Sequence, residues 1–218
     1  MTEWYPVMLK VEGRKCVVFG GGAVAERKID GLLQAKADVY IVSPQATPTL
    51  QSWAEAGRLQ FTQREAVQED LEGAVLVFAA TDRLEINNWI AELARKSGIP
   101  VNIADAGEQG DFLTPAVVRR GGLVLTASAS GAGPAMAARI IRELSEQYGP
   151  EYQEHIETIR TIRAVVKDEV LDLAERRDLL QAAVTAEALE EWRSAAWLQD
   201  KEKLLARLRQ RVNDRKGK

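Results

Sequence analysis

Residues 15–28 read KCVVFGGGAVAERK, placing Gly20-x-Gly22-x-x-Ala25 directly after an apolar β-branched run and at the head of an amphipathic stretch. Residues of these types at this spacing suit a dinucleotide pyrophosphate. One glycine permits the sharp turn, and the missing side chain at Gly22 lets a phosphate reach the backbone. The free amides and positive dipole end of the following helix then bind it. Ala25 is small enough for helix and sheet to lie close. A glycine-rich turn with no ligand is the bland alternative; the strand-loop-helix context favours a nicotinamide dinucleotide over it.

Such a site usually carries Asp or Glu about 20 residues on, at the end of the second strand, to hold the ribose 2′-hydroxyl. Here that strand is expected to end at Ser43-Pro44-Gln45, and no Arg stands there to take a 2′-phosphate. Ser43 and Gln45 can hydrogen-bond a ribose, which favours NAD over NADP. A second set follows the later strands, where ligands of doubly wound sheets bind: Thr81 and Asp82 after Ala80, and Asp105 after Ile103. A carboxylate beside the cofactor can take a proton as hydride leaves a substrate. Asp82 stands just before a helix and reads first as its cap; for Asp105, proton acceptor and turn residue both stay open.

The elements that must position these groups alternate as βαβ units. Strands are expected over 15–19, 38–42, 59–62, 75–80 and 99–103. A helix is expected over 23–37, from the spacing of Val24, Ile29, Leu32 and Leu33. Another carries Ile86, Trp89, Ile90, Leu93 and Ala94 and ends at Gly98 and Pro100. Arg119-Arg120-Gly121-Gly122 reads as a turn, 123–128 as a strand, and Pro134 as the opening of a helix to about Gln147. Beyond Pro150 the pattern is helical. The expected fold is a Rossmann-type doubly wound parallel sheet over 1–113, a small α+β region over 114–149 and a helical domain over 150–218. The basic stretch 201–218 reads as a solvated end, His155 as a surface residue on a helix, and Cys16 as a small buried apolar side chain.

The bulk composition removes other classes. The chain has 218 residues, 46% hydrophobic and 28% charged, enough for a folded core. Its 29 Lys+Arg against 32 Asp+Glu give a formal net charge of -3, with no global attraction for nucleic acid or anionic lipid. Neither is expected as a partner. The longest apolar run, Ala74–Ala80, falls far short of the roughly 20 residues that span a bilayer. A single Cys excludes an internal disulfide and fits a reducing cytoplasm, and the first residues lack the pattern of a secretory signal.

Six motifs in order then add up to a family resemblance. They are Tyr5-Pro-Val-Met-Leu, the glycine segment Val18–Lys28, Ala79-Ala-Thr-Asp82, Val101-Asn-Ile-Ala-Asp105, Asp111-Phe-Leu-Thr-Pro115 and Ser130-Gly-Ala-Gly-Pro134. Over residues 3–148 the chain resembles the precorrin-2 dehydrogenase family, which includes the N-terminal module of siroheme synthase. The resemblance implies NAD-dependent oxidation of precorrin-2 to sirohydrochlorin by a cytoplasmic homodimer, with Asp105 as the catalytic residue. It places cofactor contacts at Gly22, Ala23, Val24, Ser43, Pro44 and Gln45, with Thr81 nearby, beside the Gly20 that the glycine motif supplies, and a dimerisation region from about Thr114 to Tyr148. Where the family loop often carries a regulatory serine, this chain has Ala129.

Precorrin-2 is a multiply anionic macrocycle, so its site needs cations and helix N-termini. Arg119, Arg120, Arg139 and Ser130, in the loop leading to Pro134, are the candidates. No metal ligand set is expected. Insertion of Fe²⁺ or Co²⁺ into sirohydrochlorin, as in bifunctional members, is one alternative, and a non-catalytic NAD-sensing module is another.

Overall fold

Runs of apolar residues without polar alternation mark strands covered on both faces, and β1 (Lys15–Phe19) is such a run, buried from Cys16 onward. Alternation of side chains then divides it between two cores. Cys16 and Val18 join one cluster with Ala25, Ile29 and Leu32 of α1 (Ala23–Gln34). Val17 and Phe19 join another with Ile90, Ala91 and Ala94 of α3 (Leu84–Lys96). One helix therefore covers each face, and each fully buried Val, Ile or Leu contributes about 1.5–3 kcal/mol.

The computed structural model describes residues 3–104, 109–129, 133–195 and 197–216. It divides into two units, Met1–Thr114 and Pro115–Lys218. In the first, β2 (Asp38–Val42), α2 (Pro48–Glu55), β3 (Gln60–Thr62), β4 (Leu76–Ala79) and β5 (Val101–Ile103) complete a parallel five-stranded sheet of order β3-β2-β1-β4-β5. This is the doubly wound arrangement, with its order reversal between β1 and β4. Helix α1 stops at Gln34, short of the expected 37, because Lys36 adopts a left-handed conformation (φ 58°) that turns the chain into β2. Helix α2 was not expected, although Thr47 caps it by accepting from the Leu50 amide at 3.3 Å and Pro48 occupies its first turn.

In the second unit, β6 (Ala116–Arg120) and β7 (Leu123–Ala127) form an antiparallel hairpin against which α4 (Pro134–Gln147) packs. Arg119 and Arg120 thus belong to a strand rather than to the expected turn; the turn begins at Gly121, whose φ of 54° only glycine adopts readily. The remaining helices are α5 (Tyr152–Glu169), α6 (Leu173–Ala182), α7 (Ala186–Arg193) and α8 (Lys201–Lys216). Trp192 is buried among them and donates its indole N–H to the Ala183 carbonyl at 2.8 Å.

Two expectations fail here for one reason. The basic segment 201–216 is a packed helix, because Leu204, Leu205 and Leu208 are buried on its inner face while its cations pair outward with Asp178, Glu175 and Glu191. His155 is also buried, at 5% exposure, with its ring edge-on to Tyr152 at 5.2 Å. It shares the helical stripe of Ile159, Ile162 and Val166. Helical spacing from the apolar residues to their charged or polar neighbour decides burial, not the neighbour's own polarity.

Candidate functional site

The order reversal of the sheet leaves a crevice beyond the carboxyl ends of β1 and β4, and a cleft of about 730 Å³ opens there. Its walls are the segments that follow β1, β2, β3 and β4, with Ala104 after β5. At its base Gly20 has φ 112°, and a Cβ there would overlap the Ala80 carbonyl oxygen, so glycine is required on both counts. Gly22 is different. It has an ordinary φ of -84° and nothing within 4 Å of where a Cβ would stand. The open space lies at the N-cap of α1, where no side chain caps the helix and the first-turn amides have no intrahelical acceptors. Ala23 and Val24 of that turn line the cleft, and Ala25 is fully buried against the sheet. A pyrophosphate fits this cradle chemically and sterically.

The turn is held from both sides. The Gly20 amide donates to the Val42 carbonyl at 3.1 Å, the Thr47 amide to the Gly21 carbonyl at 2.9 Å, and the Thr47 hydroxyl to Glu26 at 2.5 Å. On the β2 flank, Ser43 is buried and donates its hydroxyl to the Gln45 carbonyl at 2.7 Å, while Pro44 and Gln45 are exposed along the cleft wall.

On the β4 flank, Thr81 and Asp82 line the cleft. Asp82 does not cap α3: the N-cap is Arg83 without a side-chain bond, and the Arg83 amide donates to the Thr81 hydroxyl at 3.2 Å. The turn is instead held by Asn87, buried in α3. Its Oδ1 accepts from the Thr81 amide at 3.0 Å and hydroxyl at 2.7 Å, and its Nδ2 donates to the Thr81 carbonyl at 3.0 Å. Arg83 pairs with Glu85 at 3.0 Å, and Glu85's own backbone amide, then Arg83, hold that carboxyl below its usual range.

Asp105 and Ser130 lie outside the described residues. The chain that leads into and out of residues 105–108 is firmly tied. The Ala104 amide donates to the Ala79 carbonyl at 2.8 Å, and the Asp111 amide to the Val101 carbonyl at 2.7 Å. Asp111 Oδ2 accepts from the Val101 amide at 3.0 Å, and its other oxygen pairs with Arg95 at 3.2 Å. Asn102 is buried; it donates to the Phe112 carbonyl at 2.9 Å and accepts from Lys28 of α1 at 2.6 Å.

The comparisons with known proteins agree with this geometry. Residues 7–116 match a family model described as putative NAD(P)-binding. A precorrin-2 dehydrogenase of Methanosarcina barkeri is 30% identical over 195 residues, covering 86% of this chain and 86% of its own. The chain belongs to the precorrin-2 dehydrogenase family. Among solved structures, SirC, a precorrin-2 dehydrogenase, superposes with a TM-score of 0.75 at 26% identity, over 95% of this chain and 100% of that one. The siroheme synthase of Nitrosococcus oceani is 35% identical over 68% of this chain. The chain spans about a third of that relative's length, 32%.

As a precorrin-2 dehydrogenase family member, the chain has a nicotinamide dinucleotide site in its first unit, in line with the NAD expected from the glycine turn. The structure gathers Gly20, Gly22, Ala23, Val24, Ser43, Pro44, Gln45 and Thr81 along one cleft. Asn87, Asn102 and Lys28 were not singled out from the sequence; a polar residue inside an apolar helical or strand pattern was the available clue for the two asparagines. The expected substrate residues belong to the second unit. Arg120 donates to the Tyr148 carbonyl at 3.1 Å and the Ser145 hydroxyl at 2.8 Å, closing the end of α4. Arg139 pairs with Glu143 at 2.8 Å. Arg119 is half-buried, and its Nε has no partner among the described residues. No helix is long and apolar enough to cross a membrane among the described residues, nor is there a His/Cys/Asp/Glu cluster that could hold a metal ion.

Proposed function

We propose that the chain oxidises precorrin-2 to sirohydrochlorin with NAD. The observation that carries this reading is the open cradle at Gly22, facing the same cleft as Ala104, the residue before Asp105. Bound NAD supplies the hydride acceptor. The chain's own groups do the rest. The amides of the α1 first turn bind the pyrophosphate, Thr81 stands beside the nicotinamide end, and Asn87 keeps that turn in place. Asp105 is assigned the proton lost when the macrocycle gives up a hydride, so that two electrons leave as hydride and one proton goes to the carboxylate. Family membership and the place of Asp105 in the sequence, two residues after the last residue of β5, support this role.

Residues 114–149 are assigned to dimerisation and residues 150–218 to a helical domain. Exposed apolar side chains on the hairpin and α4, Val117, Met136 and Ile140, support a homodimer. Arg119, Arg139 and the Ser130 loop are assigned to the substrate's carboxylates; Arg120 is given over to its backbone partners. A reducing cytoplasmic setting suits Cys16, a buried thiol whose pKa burial pushes up to about 11.

Purified protein mixed anaerobically with precorrin-2 and NAD tests the proposal by nicotinamide reduction and the sirohydrochlorin spectrum. No turnover with NAD or NADP sinks the dehydrogenase reading. Asp105→Asn is expected to lower kcat by about 100-fold or more, the scale of general base catalysis. An unchanged rate removes Asp105 as proton acceptor.

A further inference from the structure

The acidic residue that NAD sites of this fold carry after β2 is missing here, replaced by Ser43-Pro44-Gln45. Ser43 cannot donate to a ribose while its hydroxyl proton serves the Gln45 carbonyl. The adjacent strand changes the picture. Thr62, the last residue of β3, is in register with Val42, the last of β2. The Ser43 amide donates to the Thr62 carbonyl at 3.2 Å, and Gln63 Nε2 to the Pro44 carbonyl at 3.1 Å. The two strand ends are thus stitched side by side, and the residues that follow β3, Glu65 and Ala66, line the same cleft as Ser43, Pro44 and Gln45.

The charges on this flank are sorted by a clamp. Arg64, which precedes Glu65, forms a bidentate pair with Asp70 at 2.6 and 2.9 Å and donates to the Glu65 carbonyl at 2.8 Å. Asp70 also accepts from the Val67 amide at 2.9 Å. The cation that a 2′-phosphate would need is therefore occupied, and the backbone carrying Glu65 is held at the cleft wall. Among the described residues, no hydrogen bond or ion pair engages the Glu65 carboxylate.

We infer that Glu65 reads the adenosine ribose of the cofactor, accepting hydrogen bonds from its 2′- and 3′-hydroxyls and repelling a 2′-phosphate, so that the cleft selects NAD over NADP. This rests on the reading of the cleft as a nicotinamide dinucleotide site. A carboxylate has two acceptor oxygens and no donor, so it matches a vicinal diol and opposes a phosphate dianion. It does from β3 what the residue after β2 does in other doubly wound sites, because parallel strand ends in register deliver their next residues to the same edge of the crevice.

The test is direct binding rather than turnover. NADH and NADPH are titrated separately into the full chain, followed by nicotinamide fluorescence, for wild type, Glu65→Gln and Glu65→Lys. The wild type is expected to prefer NADH by at least about ten-fold. Glu65→Gln narrows that ratio, chiefly by tightening NADPH, and Glu65→Lys reverses it, with unchanged thermal midpoints. A ratio that stays the same within about two-fold in both variants overturns the assignment while leaving the dinucleotide site standing. Failure of the folded wild type to bind either nucleotide overturns the site reading, and this inference with it.

Discussion

Lys28, one turn into α1 beyond the glycine turn, donates to Asn102 of β5 at 2.6 Å, and Asn102 passes its own amide hydrogen to the Phe112 carbonyl at 2.9 Å. The helix whose N-terminus lines the cleft is thereby joined to the strand that leads to Asp105. The ammonium also lies 5.6 Å from the Phe78 ring, whose edge-on partner is Phe112.

Replacing Asn102 by Leu keeps the branched four-atom shape of the side chain and removes the amide that the Phe112 carbonyl accepts from. A loss of about 2 kcal/mol in urea unfolding is expected, the cost of a partly buried acceptor left without its donor. The double variant Lys28→Met/Asn102→Leu should lose less than the sum of the two single variants, since the residues act on one contact. Additive losses would show that the pair is not coupled.

Gly20 and Gly22 should fail in opposite ways. Gly22→Ala places a methyl where a phosphate oxygen belongs, weakening NADH binding by about ten-fold or more with stability held within about 0.5 kcal/mol. Gly20→Ala drives a methyl into the Ala80 carbonyl at a positive φ and should cost about 3 kcal/mol of stability. Paired nucleotide titrations and thermal melts check both. Equal loss of binding at unchanged stability in the two variants would contradict this division.

In the second unit, Glu191 accepts from Arg207 at 2.5 and 2.9 Å and from Arg211 at 2.5 Å. The Arg207 hydrogen bond, then the charges of Arg207 and Arg211, outweigh desolvation and hold its carboxyl below the ordinary 4.5. A depressed folded pKa adds stability that is complete above the unfolded value and fades as pH falls through the folded one. Glu191→Gln is therefore expected to cost about 1 kcal/mol at pH 7, and the difference from wild type should shrink steadily below about pH 4.5. Urea unfolding of both proteins across that range measures it; a difference independent of pH would remove the charge from the account.

Much of the first unit was legible before any coordinates. Strands β1 and β4 are apolar runs buried on both faces, so their composition alone separates them from helices and turns; β3, Gln60–Thr62, is exposed at both ends and gives a weaker signal. The glycine turn is equally plain, because its residues and spacing lie within one short segment, although the Ala80 carbonyl that crowds Gly20 comes from the end of β4. Shorter elements were less clear: Arg119 and Arg120 look like turn residues, yet β6 has a partner strand in β7 that accepts their backbone groups.

Sequence by itself determined what depends on near neighbours: strand runs, helical stripes, the proline that opens α4, and the glycine turn after β1. Tertiary structure decided what depends on distant residues meeting. Asn102 finds Lys28, Glu65 reaches the cleft that Ser43 lines, and His155 goes inside with Ile162. Hydrogen bonding and burial act over a few ångströms of space, and only the folded sheet and helices set which side chains come that close.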